Sequence, residues 1–301
     1  MADIAEGDDL IRSDVNLITS FRLVVAHPGR AHRDDLYACG LLLALQPRAA
    51  LERRSPAPAE LDDPTVAVVD VGARHEPERL NFDHHQFSKD AEPVCALTLV
   101  LRWMGAESSA RALWPWLEGV EWLDSRGPTA TAERFTPGTS CREGLLRMAA
   151  PAEEWMLRQF EAGNFEPVRS MGEFLLMQLH AIQERFRVLD TAAKWMEIAG
   201  LSVLDTRKGI AGDKRPDFGV EAWCRSKGRT PAIIVANSPR DAGATNLVRV
   251  NDHPRVDFQR LAGYSQVSWI HANGFLASAR PEDNVVLQAM LQQAIRRLTD
   301  V

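Results

Sequence analysis

The fold is decided by two apolar stretches and the polar residues that follow them, FRLVVAHPGRAHRDDLYACGLLLAL at 21–45 and TVAVVDVG at 65–72. FRLVVA and TVAVVDVG have the short, bounded apolar pattern of buried strands. DDLYACGLLLAL has the apolar spacing of a helix that begins with acidic residues. Strand, helix, loop and strand in this order predict a parallel α/β sheet. His27 and Asp70 would then lie beyond the carboxyl ends of two strands, where such sheets bind ligands.

The remaining chain changes its pattern near Gly200. Helical apolar spacing is found near 93–104, 108–124, 151–163 and 170–199, and polar loops are predicted at 52–64 and 127–140. After Gly200, the segments LSVLD, GVEAWC, PAIIVAN, NLVRV, QVSWI and GFLASA are predicted as strands, followed by a helix at about 282–298. We therefore predict a flexible acidic tail at 1–19, an α/β domain at 20–195, a connector helix at 170–199 and a smaller α/β domain at 200–301.

Composition excludes several classes of protein. The chain has 301 residues, of which 45% are hydrophobic and 25% charged, as in an ordinary globular protein. No apolar run approaches the roughly 18 residues of a membrane span, and the acidic N-terminus is unlike a signal peptide. Four widely spaced cysteines without a C-x-x-C pair argue against a disulfide framework or a thiolate zinc site, which favours a cytoplasmic location. P-loop and dinucleotide-binding glycine motifs are absent from the sequence.

The net charge of −6 is unevenly distributed. Residues 1–199 have 21 Lys and Arg against 31 Asp and Glu, whereas residues 200–301 have 14 against 10. Chance and solvated surfaces are one explanation; the other is an acidic half that gathers cations and a basic half that binds an anion. An acidic chain is poorly suited to sequence-independent binding of long duplex DNA, which depends on neutralising phosphates.

Four polar clusters follow one another in the N-terminal half, each at the end of an apolar segment. They are HPGRAHRDD (27–35), VVDVG (68–72), NFDHHQ (81–86) and EWLDSRG (121–127). Taken singly, each could be a helix cap, a turn or a locally hydrogen-bonded histidine pair. Together they offer imidazole and carboxylate groups without thiolate, which suit Mn²⁺, with Mg²⁺, Zn²⁺ and Fe²⁺ as alternatives.

These clusters resemble the DHH phosphoesterase superfamily through Asp83-His84-His85, and within it the melanocyte proliferating gene family of exonuclease-like proteins. The resemblance lies in three motifs of that branch, which are H-x4-H-x-D-[DE], V-D-V-G and [RN]-[FY]-D-H-H-Q. In this chain they are found at 27–35, 69–72 and 81–86. The resemblance is strong over about 20–125 and looser to 301. It implies a DHH-type catalytic domain at 20–195 and a substrate-binding domain at 200–301 that closes over the metals.

The resemblance also implies two metal ions bridged by Asp70. One ion would bind His27, His32 and Asp70, and the other Asp34, Asp70, His84 and Asp124. His85 would face the scissile phosphate, and Asp83 would orient a ligand histidine, while Asp35 would support the helix start. The implied substrate contacts are Arg126 and, in the loop WIHANGF (269–275), His271, Asn273 and Gly274; each of these also fits an ordinary solvated or turn residue.

Three departures from the family pattern affect these assignments. His32 stands where much of the superfamily has aspartate, and Ala73 stands where the branch often repeats glycine. Asp124 is followed by Ser125 and Arg126 rather than by asparagine and glycine, which makes it the least secure ligand.

The sequence therefore predicts a cytoplasmic two-metal phosphoesterase that hydrolyses phosphodiester bonds of small or single-stranded nucleotide substrates. It predicts no membrane association and allows a homo-oligomer. The alternatives are a pyrophosphatase-like hydrolase and a non-catalytic descendant that binds nucleotide.

Overall fold

A computed structural model of the chain describes residues 20–88, 90–135, 151–209 and 218–296. The chain divides into two compact units, Met1–Ala181 and Ile182–Val301. The predicted boundary near 195–200 lies further along the chain, and the predicted tail at 1–19 lies outside the described residues. The assignment of catalysis and substrate binding to separate domains stays a prediction.

The described part of the first unit contains one five-stranded sheet with the order β2-β1-β3-β5-β4. Its strands are β1 (Leu23–Ala26), β2 (Ala50–Arg53), β3 (Val66–Val69), β4 (His75–Glu76) and β5 (Asn81–Phe82). β1 pairs in parallel with β2 and β3, β3 pairs in parallel with β5, and β4 is antiparallel to β5. The predicted parallel sheet is confirmed. The predicted loop at 52–64 was wrong at its start, because residues 50–53 pair with β1 as β2 and bury Leu51.

Six helices begin in the same described part of the chain, and the last of them continues into the second unit: α1 (Arg33–Leu45), α2 (Ala96–Trp103), α3 (Glu107–Leu113), α4 (Leu117–Phe135), α5 (Pro151–Glu161) and α6 (Glu166–Ala192). Short 3₁₀ turns lie at Pro58–Leu61 and Pro77–Arg79. The predicted helix at 108–124 is broken into α3 and α4. The predicted loop at 127–140 is helical as far as Phe135, because α4 continues beyond a kink at Gly127 (φ 77°) and Pro128; its last residues lie outside the described ranges.

The main core of the first unit packs helices against one face of the sheet. Val24, Ala26, Ala67 and Val69 face this core, whereas the alternate strand residues face a much smaller cluster with Leu61 and Val71. Helices α1 and α6 cross at two glycines, and a Cβ added at Gly172 would lie 1.8 Å from the carbonyl oxygen of Gly40. Only glycine allows this backbone contact, which fixes the helix that begins with Arg33-Asp34-Asp35.

The described part of the second unit forms a six-stranded sheet with the order β10-β11-β9-β8-β7-β6. The strands are β6 (Lys194–Ile198), β7 (Leu201–Asp205), β8 (Ile233–Asn237), β9 (Thr245–Arg249), β10 (Val267–Ile270) and β11 (Leu276–Ala279). β7 and β8 are parallel and the other pairs are antiparallel. Helices α7 (Val220–Ser226) and α8 (Asn284–Ala294) and 3₁₀ turns at Arg207–Gly209 and Phe258–Leu261 complete the unit. The mixed α/β class predicted for this half is confirmed.

One predicted element of this half differs at its end and another differs in type. The connector helix predicted at 170–199 is present as part of α6, but it ends at Ala192, because residues 194–198 pair with β7 as an antiparallel strand. GVEAWC (219–224) was predicted as a strand but forms most of α7, which starts after Gly219 (φ 73°). Its buried Val220, Trp223 and Cys224 have the three- and four-residue spacing of a helix face. Within the ranges that the structure describes, no helix is long and apolar enough to cross a membrane.

Candidate metal centre

The site begins where three parallel strands of the first sheet end. His27 follows β1, Asp70 follows β3 and Asp83 follows β5. The backbone N–H of Asp70 donates to the carbonyl of Phe82 at 3.1 Å, which ties two of these strand ends together. Asp70 has a φ of 58°, a left-handed conformation that aspartate tolerates better than most residues. The buried side chain of Asp70 therefore lies at the edge of the sheet where the parallel strands end.

The first donor group consists of Asp34, Asp70, His84 and Asp124. One ligand atom from each lies within 4.8 Å of the others. His84 Nε2 lies 2.7 Å from Asp124 Oδ2 and 3.2 Å from Asp70 Oδ1. This is the set that the family resemblance implies for one of the two ions, and it includes Asp124, the least secure of the predicted ligands.

Neighbouring helices hold this group in place. Asp34 lies in the first turn of α1, and its Oδ2 accepts a hydrogen bond from the N–H of Ala96 at the start of α2. Asp124 lies on α4, three residues before the kink at Gly127. The fully buried Asp34 therefore links two helix starts, where peptide dipoles favour a negative charge.

The second donor group consists of His27, Asp35 and Asp70, and it shares Asp70 with the first. Asp35 Oδ1 accepts the N–H of His32 at 2.8 Å, which is the support of the helix start expected of it. Its Oδ2 lies 3.6 Å from Arg53 Nη2, and the Arg53 guanidinium packs over the ring of Phe160. The sequence did not predict that Asp35 is a donor of this group, nor that Arg53 contacts it. Two successive aspartates at a helix start were a visible signal for the first of these.

Several ligand atoms of both groups are buried without a hydrogen-bond partner in the described structure: His27 Nδ1, Asp34 Oδ1, Asp35 Oδ2, both oxygens of Asp70, His84 Nε2 and Asp124 Oδ2. The short contacts of His84 therefore lack the alignment of hydrogen bonds. Buried carboxylates without donors are costly, and a cation would satisfy them. The donor set fits a divalent ion that prefers oxygen and imidazole nitrogen.

The proton equilibria show the same concentration of negative charge. Burial, reinforced by Asp70 and Asp124, raises the pKa of Asp34, and burial raises the pKa of Asp35 to about 8. Burial lowers the pKa of His84, but Asp124 and Asp70 outweigh it and raise that pKa to about 10. Protons thus take the place that a cation would occupy, and bound metal must displace them.

Asp70, His84 and His85 form a third group of converging ligand atoms, and Asp83 holds the ring of His85 beside the first two groups. His85 Nδ1 lies 2.7 Å from Asp83 Oδ1, and the second oxygen of Asp83 accepts the N–H of Ala73 at 2.6 Å. Burial alone would raise the pKa of Asp83, but hydrogen bonds from the backbone N–H of His85, from its ring and from the N–H of Ala73 lower it. Asp83 was predicted to orient a ligand histidine, and the histidine that it contacts is His85, which was predicted to face the phosphate; both roles stay predictions. Because Asp83 binds the Nδ1 side, the exposed ring presents Nε2 outward.

The other predicted residues of this half lie around the centre. The ring of His32 stacks on that of His27 with centroids 5.8 Å apart, and its Nδ1 lies 3.6 Å from Asp124 Oδ1. Among the described residues, the groups of converging ligand atoms do not include His32. Arg126 lines a cavity with His84, His85 and Asp124, and its guanidinium donates to the carbonyl of Ala91. Its predicted contact with substrate stays a prediction.

The predicted loop of the second unit is an ordered turn between β10 and β11. The N–H of Asn273 donates to His271 Nδ1 at 3.1 Å, which leaves the Nε2 proton of His271 as a donor. Gly274 has a φ of 66°, and a Cβ there would lie 2.4 Å from Asp257 Oδ1. The substrate-binding assignment of His271, Asn273 and Gly274 stays a prediction.

Residues 23–94 match the family model MYG1_exonuc, described as "Uncharacterised protein family (UPF0160)". The match spans 72 of the 301 residues, and we refer to residues 23–94 as the MYG1_exonuc segment. The match covers three of the four polar clusters and confirms the resemblance inferred from them. No curated protein shows a significant match to the chain.

Solved structures of RecJ show weak similarity. RecJ from Thermus thermophilus in complex with Mn²⁺ is 14% identical, with 90% of this chain and 51% of that chain covered and a TM-score of 0.23. The exonuclease RecJ bound to manganese is 15% identical, with coverages of 91% and 89% and a TM-score of 0.22. The Thermus thermophilus protein in complex with Mg²⁺ is 14% identical, with coverages of 90% and 48% and a TM-score of 0.24. The chain spans about half the length of the two Thermus proteins.

Proposed function

We propose that this protein is a metal-dependent, nuclease-like phosphoesterase that uses two divalent ions to hydrolyse phosphodiester bonds in small or single-stranded nucleotides. The observation that carries the proposal is the convergence of three donor groups of the described structure on Asp70, with buried carboxylate oxygens that have no hydrogen-bond partner there. The MYG1_exonuc segment supports the same class of chemistry.

One ion would be held by Asp34, Asp70, His84 and Asp124. The other ion would be held by His27 and Asp70, together with either Asp35 or His32. Bound divalent ions supply an activated water and neutralise the phosphate charge. Mn²⁺ is the preferred choice for these nitrogen and oxygen donors, with Mg²⁺, Zn²⁺ and Fe²⁺ as alternatives. Asp83 fixes the ring of His85, so that Nε2 donates to a phosphate oxygen or to the leaving group.

We extend the proposal to the second unit, whose basic residues and loop 269–275 would bind the far side of the substrate. The ordered His271 turn and its Nε2 donor support this assignment. A cytoplasmic location is part of the proposal, supported by the buried free thiols of Cys39, Cys95 and Cys224.

The decisive experiment measures metal content and turnover on Asp70→Asn. Asparagine keeps the shape of the side chain and tolerates the positive φ of position 70, so the fold is expected to survive. Bound Mn²⁺ and activity should fall together. The matched control is Asp62→Asn, which changes the same side chain at an exposed surface ion pair and should leave both unchanged. Full activity of Asp70→Asn in chelator-buffered metal would refute the shared-carboxylate site.

A substrate panel separates the alternatives. Short oligonucleotides, dinucleotides, cyclic dinucleotides and pyrophosphate are incubated with the wild type and Mn²⁺. Hydrolysis of the phosphodiesters supports the proposal, preference for pyrophosphate supports the pyrophosphatase-like alternative, and nucleotide binding without any turnover supports a non-catalytic descendant.

A further inference from the structure

The first unit contains a cavity that the metal chemistry does not use. Its volume is about 570 Å³, within the range of small-molecule sites, and most of its lining is apolar. Residues of α1, α4, α5 and α6 form its walls. A cavity of this size inside one unit is large enough for a planar heterocycle.

Aromatic side chains dominate one side of this cavity. Trp116 packs at 5.3 Å from the ring of Tyr37 and stacks on Trp114 at 5.2 Å, yet 38% of Trp116 remains exposed. Phe135, also 38% exposed, lines the same cavity. Trp116 is thus held by two rings while part of its surface stays uncovered, as expected of a stacking platform.

A polar wall faces the same space. Glu153 accepts hydrogen bonds from the hydroxyl of Tyr37, and its other oxygen lies 3.1 Å from Arg33 Nε. A carboxylate oxygen can accept more than one hydrogen bond, and the guanidinium of Arg33 carries further N–H donors besides the Nε that lies near Glu153. The wall therefore offers both donors and acceptors, which the edge of a nucleobase requires.

The cavity adjoins the metal centre through two pairs of consecutive residues. Arg33 lines the cavity and Asp34 is a donor of the first group; Leu123 lines the cavity and Asp124 is a donor of the same group. Consecutive Cα atoms are about 3.8 Å apart, and consecutive side chains on a helix diverge by about 100°. One side of each helix therefore faces the ions and the adjacent side faces the cavity.

We propose that this cavity binds the nucleobase of the nucleotide whose phosphate lies at the metal centre. This inference rests on the proposed function for the position of the phosphate. The base stacks on Trp116 and Phe135, its polar edge contacts Glu153 and Arg33, and the apolar remainder contacts Met156 and Met171.

The test compares 5′-AMP with ribose 5-phosphate, which has the same phosphate and sugar but no base. Binding to the Mn²⁺-loaded wild type is measured by isothermal titration, and AMP should bind about tenfold more tightly, since stacking on an aromatic contributes on this scale. Trp116→Ala should remove most of this difference without changing the affinity for ribose 5-phosphate. Trp155→Ala is the matched control, because Trp155 is 51% exposed in the same unit and does not line the cavity.

Phe135→Ala provides a second variant that decides the question if Trp116→Ala fails to fold, as judged by circular dichroism and Tm. Equal affinities of the wild type for AMP and ribose 5-phosphate would overturn the proposal, as would an unchanged difference in both cavity variants. Turnover of the phosphodiester panel is measured on the same preparations. The wild type could bind AMP more tightly than ribose 5-phosphate, lose this difference in Trp116→Ala, and still hydrolyse no phosphodiester. That result would refute the phosphoesterase and retain the base site, so the two failures are distinguishable.

Discussion

At the crossing of α1 and α6 we expect Gly172→Ala to lower the free energy of unfolding, although helix propensity alone would raise it. In an exposed helix, Gly→Ala stabilises by about 1 kcal/mol. At Gly172 the new Cβ would lie 1.8 Å from the carbonyl oxygen and 2.2 Å from the carbonyl carbon of Gly40. An ordinary contact needs about 3.4 Å, so the two helices must separate by roughly 1.6 Å, and neither contacting atom belongs to a flexible side chain.

The expected loss follows from these numbers. Overpacking of a core typically costs about 1–3 kcal/mol, and a rigid backbone contact should lie at the upper end. Subtracting the gain in propensity leaves a net loss of about 2 kcal/mol for Gly172→Ala. Because α1 carries Asp34 and Asp35, the same displacement should also weaken metal binding.

The assay is urea denaturation of the metal-free protein, followed by circular dichroism and by Trp fluorescence to detect separate transitions of the two units. Gly119→Ala is the control, because a Cβ at that helical position meets no atom within 4 Å and should give a small gain in stability. A Gly172→Ala protein as stable as the Gly119→Ala protein would refute the close crossing.

Four further outcomes are expected. Ala73 has a φ of 56°, so Ala73→Gly should raise the free energy of unfolding by about 1 kcal/mol in denaturation experiments; a loss would contradict the left-handed conformation. Because Asp124 and Asp70 overcome the effect of burial and raise the pKa of His84 to about 10, a cation must displace its proton. The affinity for Mn²⁺ measured by titration should therefore rise from about pH 6 to about pH 8, and a constant affinity would count against the site. His85→Ala should retain bound metal, measured by elemental analysis, and lose about 100-fold or more in kcat; loss of metal instead would make His85 a ligand. His271→Ala should raise KM or lower kcat at unchanged metal content, whereas a lower Tm with unchanged kinetics would leave His271 a turn residue.

Much of the candidate metal centre could be predicted from the sequence because several of its polar residues follow strand ends. His27, Asp70 and Asp83 each come directly after an apolar strand, and parallel strands bring their carboxyl ends to one edge of a sheet. The local sequence pattern did not predict the secondary structure correctly where contacts with distant segments decided it. Residues 194–198 continue an apolar helical pattern, but β7 pairs with them as a strand, and Val220, Trp223 and Cys224 fit a strand by composition and a helix by spacing.

The sequence by itself determined the type and order of the candidate ligands, since imidazole and carboxylate chemistry is a property of the residues. The tertiary structure decided which of them converge: Asp35 accepts a hydrogen bond from His32 and also converges with His27 and Asp70, while Arg53 contacts Asp35 from a strand whose sequence was interpreted as a loop. It also decided the contact of Gly40 with Gly172 and the cavity beside Trp116. These features depend on distances between segments far apart in the chain, and local periodicity carries information only about neighbours a few residues away.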